Sequence, residues 1–166
     1  MKGYVHIVHP FGPLFDEKSE ILILGSLPSV KSREQNFFYG HPHNRFWPLL
    51  AALFGEAAPC TVEEKKALAL RNRIALWDTI QSCDIVGSSD GSIRNVVPTD
   101  LRPILEGSRV RRVFCNGAAS GRYYKQYQAG ILGIEATVLP STSPANAAWT
   151  MEKLMAAWRV VREGSE

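Results

Sequence analysis

The sequence has little of what would make it a membrane, disulfide-stapled or metal-loaded protein. Among its 166 residues no apolar run approaches the ~20 needed to cross a bilayer, and no basic-then-apolar stretch follows Met1. The three cysteines, Cys60, Cys83 and Cys115, are odd in number and widely spaced, which argues against a disulfide framework. They also fall short of a four-cysteine iron–sulfur or zinc site within one chain. Histidine occurs only four times, and the net charge is a mild +3. That balance permits an anionic partner without establishing one. What is present, 45% hydrophobic and 21% charged residues, is ordinary for a globular protein with a real core. The expectation is one domain over residues 1–166, monomeric, cytoplasmic and without a cofactor.

Apolar patterning places the elements. Ile21 to Leu24 is a continuous apolar run ended by Gly25, as expected of a strand buried on both faces. Ile74–Trp77, Val110–Cys115 and Ala136–Leu139 read as three more strands. Between them lie helical patterns. Asn44 to Phe54 carries apolar residues at helical spacing, closed by Gly55. Thr61 with Glu64 is a capping-box pair opening a helix to about Leu70. Thr99 to Gly107 reads as a capped helix with Pro103 in or near its first turn. A helix to Tyr127 follows Asn116-Gly117, and Ala145 to Arg162 closes the chain. The alternation predicts an α/β fold, a three-layer α/β/α arrangement around a central four-stranded parallel sheet.

In such a sheet the loops after Leu24, Trp77, Cys115 and Leu139 emerge on one edge. Ser26, Asp78, Asn116, Ser141 and Ser143 therefore converge on one crevice. The richest loop continues into Phe38-Tyr-Gly-His-Pro-His-Asn-Arg-Phe-Trp47, and the last is Leu139-Pro-Ser-Thr-Ser-Pro-Ala-Asn146. Aromatics, two histidines and an asparagine with almost no carboxylates suit a flat neutral ring beside a polyanion better than a metal or a sugar. His41 and His43 lack a third ligand partner, so ordering the loop or contacting phosphate suits them better. Lys31, Arg33, Arg45, Arg94 and Arg122 are candidates for a phosphate track. The polar stretch Gly87–Asn95 is assigned only to a rim.

The chain resembles the uracil-DNA glycosylase superfamily, and most closely its hypoxanthine-DNA (deoxyinosine) glycosylase branch. The resemblance runs from Ile21 to Trp158. It is carried by Gly-Ser-Leu-Pro-Ser at 25–29, Gly-His-Pro-His-Asn-Arg-Phe-Trp at 40–47 and Ser-Thr-Ser-Pro-Ala-Asn at 141–146. It implies the same parallel-sheet fold and a metal-free enzyme that flips a nucleotide and hydrolyses its N-glycosidic bond. The implied partner is double- or single-stranded DNA containing a damaged base, with hypoxanthine foremost and uracil or xanthine as further substrates.

The resemblance also assigns residues. Tyr39 stands where relatives stack the flipped base, a contact worth roughly 1–3 kcal/mol; its alternative is a core aromatic. Asn116 stands where relatives read the base edge, its carboxamide offering one donor and one acceptor; alternatively Asn116-Gly117 is only a turn. Ser26 joins the base-binding group. Leu27 replaces the water-handling Asp or Asn of most relatives, and catalysis is expected from Asn44 instead, which could equally be a helix N-cap. Asp78 is a second catalytic candidate, for positioning water, or a turn residue. Ser141, Thr142, Ser143, Ala145, Asn146 and Arg45 are expected against DNA, with Ala145 where many relatives carry a leucine wedge.

Two other classes stay open. A serine esterase would use Ser26 as nucleophile, but no histidine lies in the C-terminal third. A non-catalytic DNA-binding module on the same fold is favoured only by Leu27.

Overall fold

The computed structural model describes residues 3–87 and 89–163, apart from the side chains of Val30 and Lys31. The chain runs β1 (Val5–Val8), β2 (Ile21–Gly25), α1 (Val30–Gln35), α2 (Phe46–Leu53), α3 (Val62–Arg71), β3 (Ile74–Asp78), β4 (Ile80–Ile85), a 3-10 turn (Asp90–Ser92), β5 (Arg94–Pro98), α4 (Arg102–Glu106), β6 (Arg112–Asn116), α5 (Ala118–Tyr127), α6 (Ala129–Leu132), β7 (Ala136–Leu139) and α7 (Met151–Arg162).

Four of these strands make the expected parallel sheet, in the order β3-β2-β6-β7. Every residue of β2 and β3 is buried, so both faces of this half of the sheet are covered. That is why these strands read as unbroken apolar runs rather than alternating ones. The register sets Gly25 beside Asp78 and Asn116 beside Leu139. The chain steps from β2 outward to β3, then returns to the other side of β2 for β6. The loops after β2 and β6 therefore diverge, leaving a crevice at the switch point of the strand order.

Helix α2 packs on α7, where Phe46 and the fully buried Trp158 meet edge to face at 6.0 Å. Both tryptophan N–H groups at this core end on loop carbonyls. Trp47 donates to the Phe38 carbonyl at 3.0 Å and Trp158 to that of Pro140 at 2.9 Å. The core thus holds the two loops that carry the motifs. The capping box at Thr61 and Glu64 is formed in both directions, at 3.1 and 3.0 Å.

Several boundaries differ from the sequence expectation. Helix α7 begins at Met151, not Ala145, because Thr150 caps it by accepting from Lys153 N at 3.2 Å. Helix α4 spans only Arg102–Glu106, and Thr99 does not cap it. Its hydroxyl donates instead to the Asp78 carbonyl at 2.7 Å. Helix α2 starts at Phe46, two residues after Asn44. A second, antiparallel sheet of order β1-β4-β5 was not expected from the sequence. Its outer strands β1 and β5 are largely exposed, so they lack the apolar contrast that marks a strand. Arg94 and Asn95, expected in a rim loop, belong to β5, where Asn95 donates to Asp84 at 2.7 Å.

Candidate active site

A cavity of about 390 Å³ opens at the C-terminal ends of β2, β3 and β6, within the usual size range of small-ligand sites. Gly25, Ser26, Tyr39, Asn44, Asp78, Asn116 and the 141–145 loop line it, so the crevice inferred from topology is where these residues meet. Gly117 brings two of the loops together. Its φ of 100° favours glycine, its N–H reaches the Leu139 carbonyl at 2.9 Å, and a Cβ would sit 3.3 Å from that of Ser141.

One hydrogen-bond chain crosses this edge. Asn44 Oδ1 accepts from Phe46 N at 2.9 Å and from the Thr142 hydroxyl at 2.8 Å. Thr142 N donates to Asn116 Oδ1 at 3.0 Å, and Asn116 Nδ2 donates to the Thr142 hydroxyl at 3.0 Å. The two backbone N–H groups can only donate, so they fix both carboxamides and send the Thr142 proton to Asn44. Asn44 is thus neither a bare N-cap nor free to rotate. Its Nδ2 bonds to none of the described residues, and Asn44 lines the cavity. Asn116, expected to offer a donor and an acceptor to a base, gives one amide proton and one lone pair to Thr142 and lines the cavity.

At the cavity floor Asp78 is paired with a residue that the site assignment missed. His9 Nε2 lies 2.7 Å from Asp78 Oδ2, and both side chains are buried. His9 follows β1 in the unexpected sheet, so nothing in its local pattern marked it. Tyr39 adopts a φ of 53°, unusual for a bulky residue, with its ring stacked on Phe46 at 4.0 Å. Its hydroxyl is buried without a hydrogen-bond partner among the described residues. Burial, and then the charge of Asp78, push the phenol well above its usual range, with the Asn116 carboxamide acting the other way; Tyr39 stays neutral. Burial also pushes the Cys115 thiol up to about 11, Ser120 opposing, so it is no thiolate at neutral pH.

The 141–146 loop satisfies much of its own backbone. Ser141 Oγ accepts from Ser143 N and Ser143 Oγ from Ala145 N, each at 3.1 Å, while Asn146 Nδ2 reaches the Ser141 carbonyl at 3.0 Å. Ala145 is exposed at its tip. Arg45, expected against DNA, faces inward: its guanidinium donates to the carbonyls of Ser143 and Asn146 at 3.1 Å each, and to that of Trp149. That commitment makes it a clamp on the loop rather than a phosphate ligand. Leu27 packs with the small core of Ile80, Cys83 and Ile85, which explains an apolar residue there. Arg33 lines the cavity, Arg122 is exposed, and Arg94 lies over the Tyr4 ring at 3.5 Å. The Lys31 side chain lies outside the described residues. His41 Nδ1 accepts from His43 N at 3.0 Å, closing the loop on itself. Among the described residues no three His, Cys, Asp or Glu side chains converge as a metal site, and no helix is long and apolar enough to cross a membrane.

Residues 13–162 match the family model described as Uracil DNA glycosylase superfamily. A protein of Methanosarcina acetivorans named hypoxanthine DNA glycosylase is 39% identical over 138 residues, covering 82% of this chain and 86% of that protein. One of the same name from Methanosarcina barkeri is 37% identical over 143 residues, with the same coverage of 82% and 86%. A solution NMR structure whose description names a uracil DNA glycosylase from Methanosarcina acetivorans superposes with a TM-score of 0.77 at 34% identity. It covers 92% of this chain and 97% of that one.

Proposed function

The chain belongs to the uracil DNA glycosylase superfamily, and we propose that it releases deaminated bases from DNA, hypoxanthine foremost, leaving an abasic site. A flipped nucleotide enters the cavity as a monomeric, single-domain enzyme binds double- or single-stranded DNA around it. The C1′–N9 bond breaks with its electron pair leaving on the base, and the sugar passes through an oxocarbenium-like state. A water oxygen then bonds to C1′, its proton passing to the departing base or to solvent. Such a reaction is carried largely by position and electrostatics.

The observation that carries this reading is Asn44, which lines the cavity with its oxygen held by two donors and its amide nitrogen bonded to none of the described residues. Fixed in this way, Nδ2–H holds a water by one lone pair and leaves the other toward C1′. Tyr39, propped on Phe46, gives the base a flat wall, and Ser26 lies on the lining beside it. Ser141, Ser143, Ala145 and Asn146 form a rim whose hydroxyls and backbone position the phosphates without reading sequence, while Thr142, expected among them, is buried beneath and spends its hydroxyl and N–H on the two asparagines. Arg33 and the net positive charge add attraction for the polyanion.

Incubation with duplexes carrying a single deoxyinosine, deoxyuridine or normal base, followed by alkali, tests the reading. Strand breaks confined to the deaminated duplexes, and only after alkali, are expected. An esterase or a non-catalytic binding module gives none.

A further inference from the structure

Two stiff turns stand beside the cavity, and they are built alike. In His41–Asn44 the His41 carbonyl accepts from Asn44 N at 2.9 Å, and its Nδ1 from His43 N at 3.0 Å. In Ser143–Asn146 the Ser143 carbonyl accepts from Asn146 N at 3.0 Å, and its Oγ from Ala145 N at 3.1 Å. Pro42 and Pro144 hold the second position of each, where proline presets φ. Arg45, next to the first turn, locks the second. Its backbone N–H donates to the Thr142 carbonyl at 3.1 Å, and its guanidinium to the carbonyls of Ser143 and Asn146 at 3.1 Å each. The two turns are therefore one rigid unit, and Asn44, Ser143 and Ala145 set it on the cavity wall.

The tips of that unit are blunt. Pro42, His43, Pro144 and Ala145 are exposed, and Ala145 carries a single methyl. The His43 ring tilts against that of His41, with 5.6 Å between centroids. Among the described residues the exposed large apolar side chains are Tyr4, Val5, Val8, Val97, Ile131 and Val138, and none lines the cavity. Leu27, Phe38, Tyr39 and Ile85 do line it, but all four pack into the interior. Proteins that unstack an intact duplex insert a long apolar side chain between base steps to offset the loss. A methyl beside a proline offsets little of it. We propose that the enzyme captures nucleotides already out of the stack: its substrate is deoxyinosine in a single strand or at a weakly paired site, which the twin turns grip without entering the duplex. Extrusion costs least where the base is unpaired or mispaired. Deamination of adenine in an A·T pair leaves such a site, because inosine meets thymine only as a wobble. Inosine opposite cytosine keeps a Watson–Crick-like pair and stays stacked. The inference rests on the glycosylase reading and narrows its substrate.

Single-turnover release should be fastest from a single strand, slower from inosine opposite thymine and slowest from inosine opposite cytosine. The span from first to last should be about tenfold to a hundredfold, the scale of unpairing and unstacking one base. Ala145→Leu puts a long apolar side chain on the exposed tip, so it should narrow that ratio, and Ala145→Met should do the same. Equal wild-type rates from the single strand and the cytosine duplex would overturn the proposal. A ratio that both Ala145 variants leave unchanged would overturn it too. His43→Ala should leave the ratio where it stands; a wider ratio would make His43 a wedge and count against the proposal. A measurement without turnover separates this from the glycosylase reading. With an arabino 2′-fluoro analogue of deoxyinosine, whose fluorine resists loss of the base, fluorescence anisotropy should give the same order, single strand tightest and cytosine duplex weakest. Equal affinities overturn the capture reading. That order without base release from any inosine substrate leaves capture standing and sinks the glycosylase reading, whereas release at rates blind to pairing does the reverse.

Discussion

The Thr142 hydroxyl donates to Asn44 Oδ1 across 2.8 Å, joining residues 98 positions apart. The bond fixes the face that Asn44 turns to the cavity, because its oxygen is occupied on both sides and only its amide protons remain. Thr142 is itself held by Asn116 and is fully buried. The two asparagines that motif reasoning treats separately are therefore one unit.

Removing that hydroxyl should loosen Asn44 without emptying the site. Thr142→Val is expected to slow single-turnover base release about tenfold, equivalent to ~1.4 kcal/mol and typical of one neutral hydrogen bond. Thr142→Ser should stay close to the wild type. Combined with Asn116→Ala, Thr142→Val should cost less than the two changes added separately, since both break the same chain. Additive losses would show that Asn116 acts elsewhere.

Asn44→Ala should slow release of every accepted base by a similar factor, about 100- to 1,000-fold, the scale for losing one positioned catalytic donor. Affinity for inosine-containing DNA, read by fluorescence anisotropy, should stay nearly unchanged. A change confined to the ranking of bases would contradict the role given to Asn44.

Arg45 and Arg33 should separate under salt. Arg45→Met removes three bonds to loop carbonyls, so the melting temperature should fall while the slope of log affinity against log salt stays the same. Arg33→Ala should leave stability alone and reduce that slope by about one. A reduced slope for Arg45→Met would place its charge on DNA after all.

Leu27, which the resemblance sets where most relatives handle water, lines the cavity and packs with Ile80, Cys83 and Ile85. Leu27→Asn should therefore destabilise the fold by about 1–2 kcal/mol in a urea titration, through lost apolar burial and a poorly satisfied amide. It should not raise the rate. Faster release would show that the water can be handled from this position too.

The parallel sheet was legible because β2 and β3 are buried on both faces and are written as unbroken apolar runs. The crevice followed from strand order alone, and the motif loops at 38–47 and 139–146 lie at it. Other features were not legible. The small antiparallel sheet has exposed outer strands, so β1 and β5 carry no apolar contrast. His9 reaches Asp78 only through that sheet, from 69 positions away. The inward turn of Arg45 and the bidentate pairing of Asn116 with Thr142 depend on loop geometry, where spacing between residue types says nothing of direction. The start of α4 shifted because Thr99 bonds across the fold to Asp78, and that of α7 because Thr150 caps it.

The most direct test is the fate of the base in a duplex with a single deoxyinosine, incubated with the protein and EDTA and analysed by mass spectrometry. Free hypoxanthine should appear in step with a full-length strand bearing an aldehydic abasic site, broken only by alkali. Inosine left in the strand, or a backbone cut without alkali, would contradict the account.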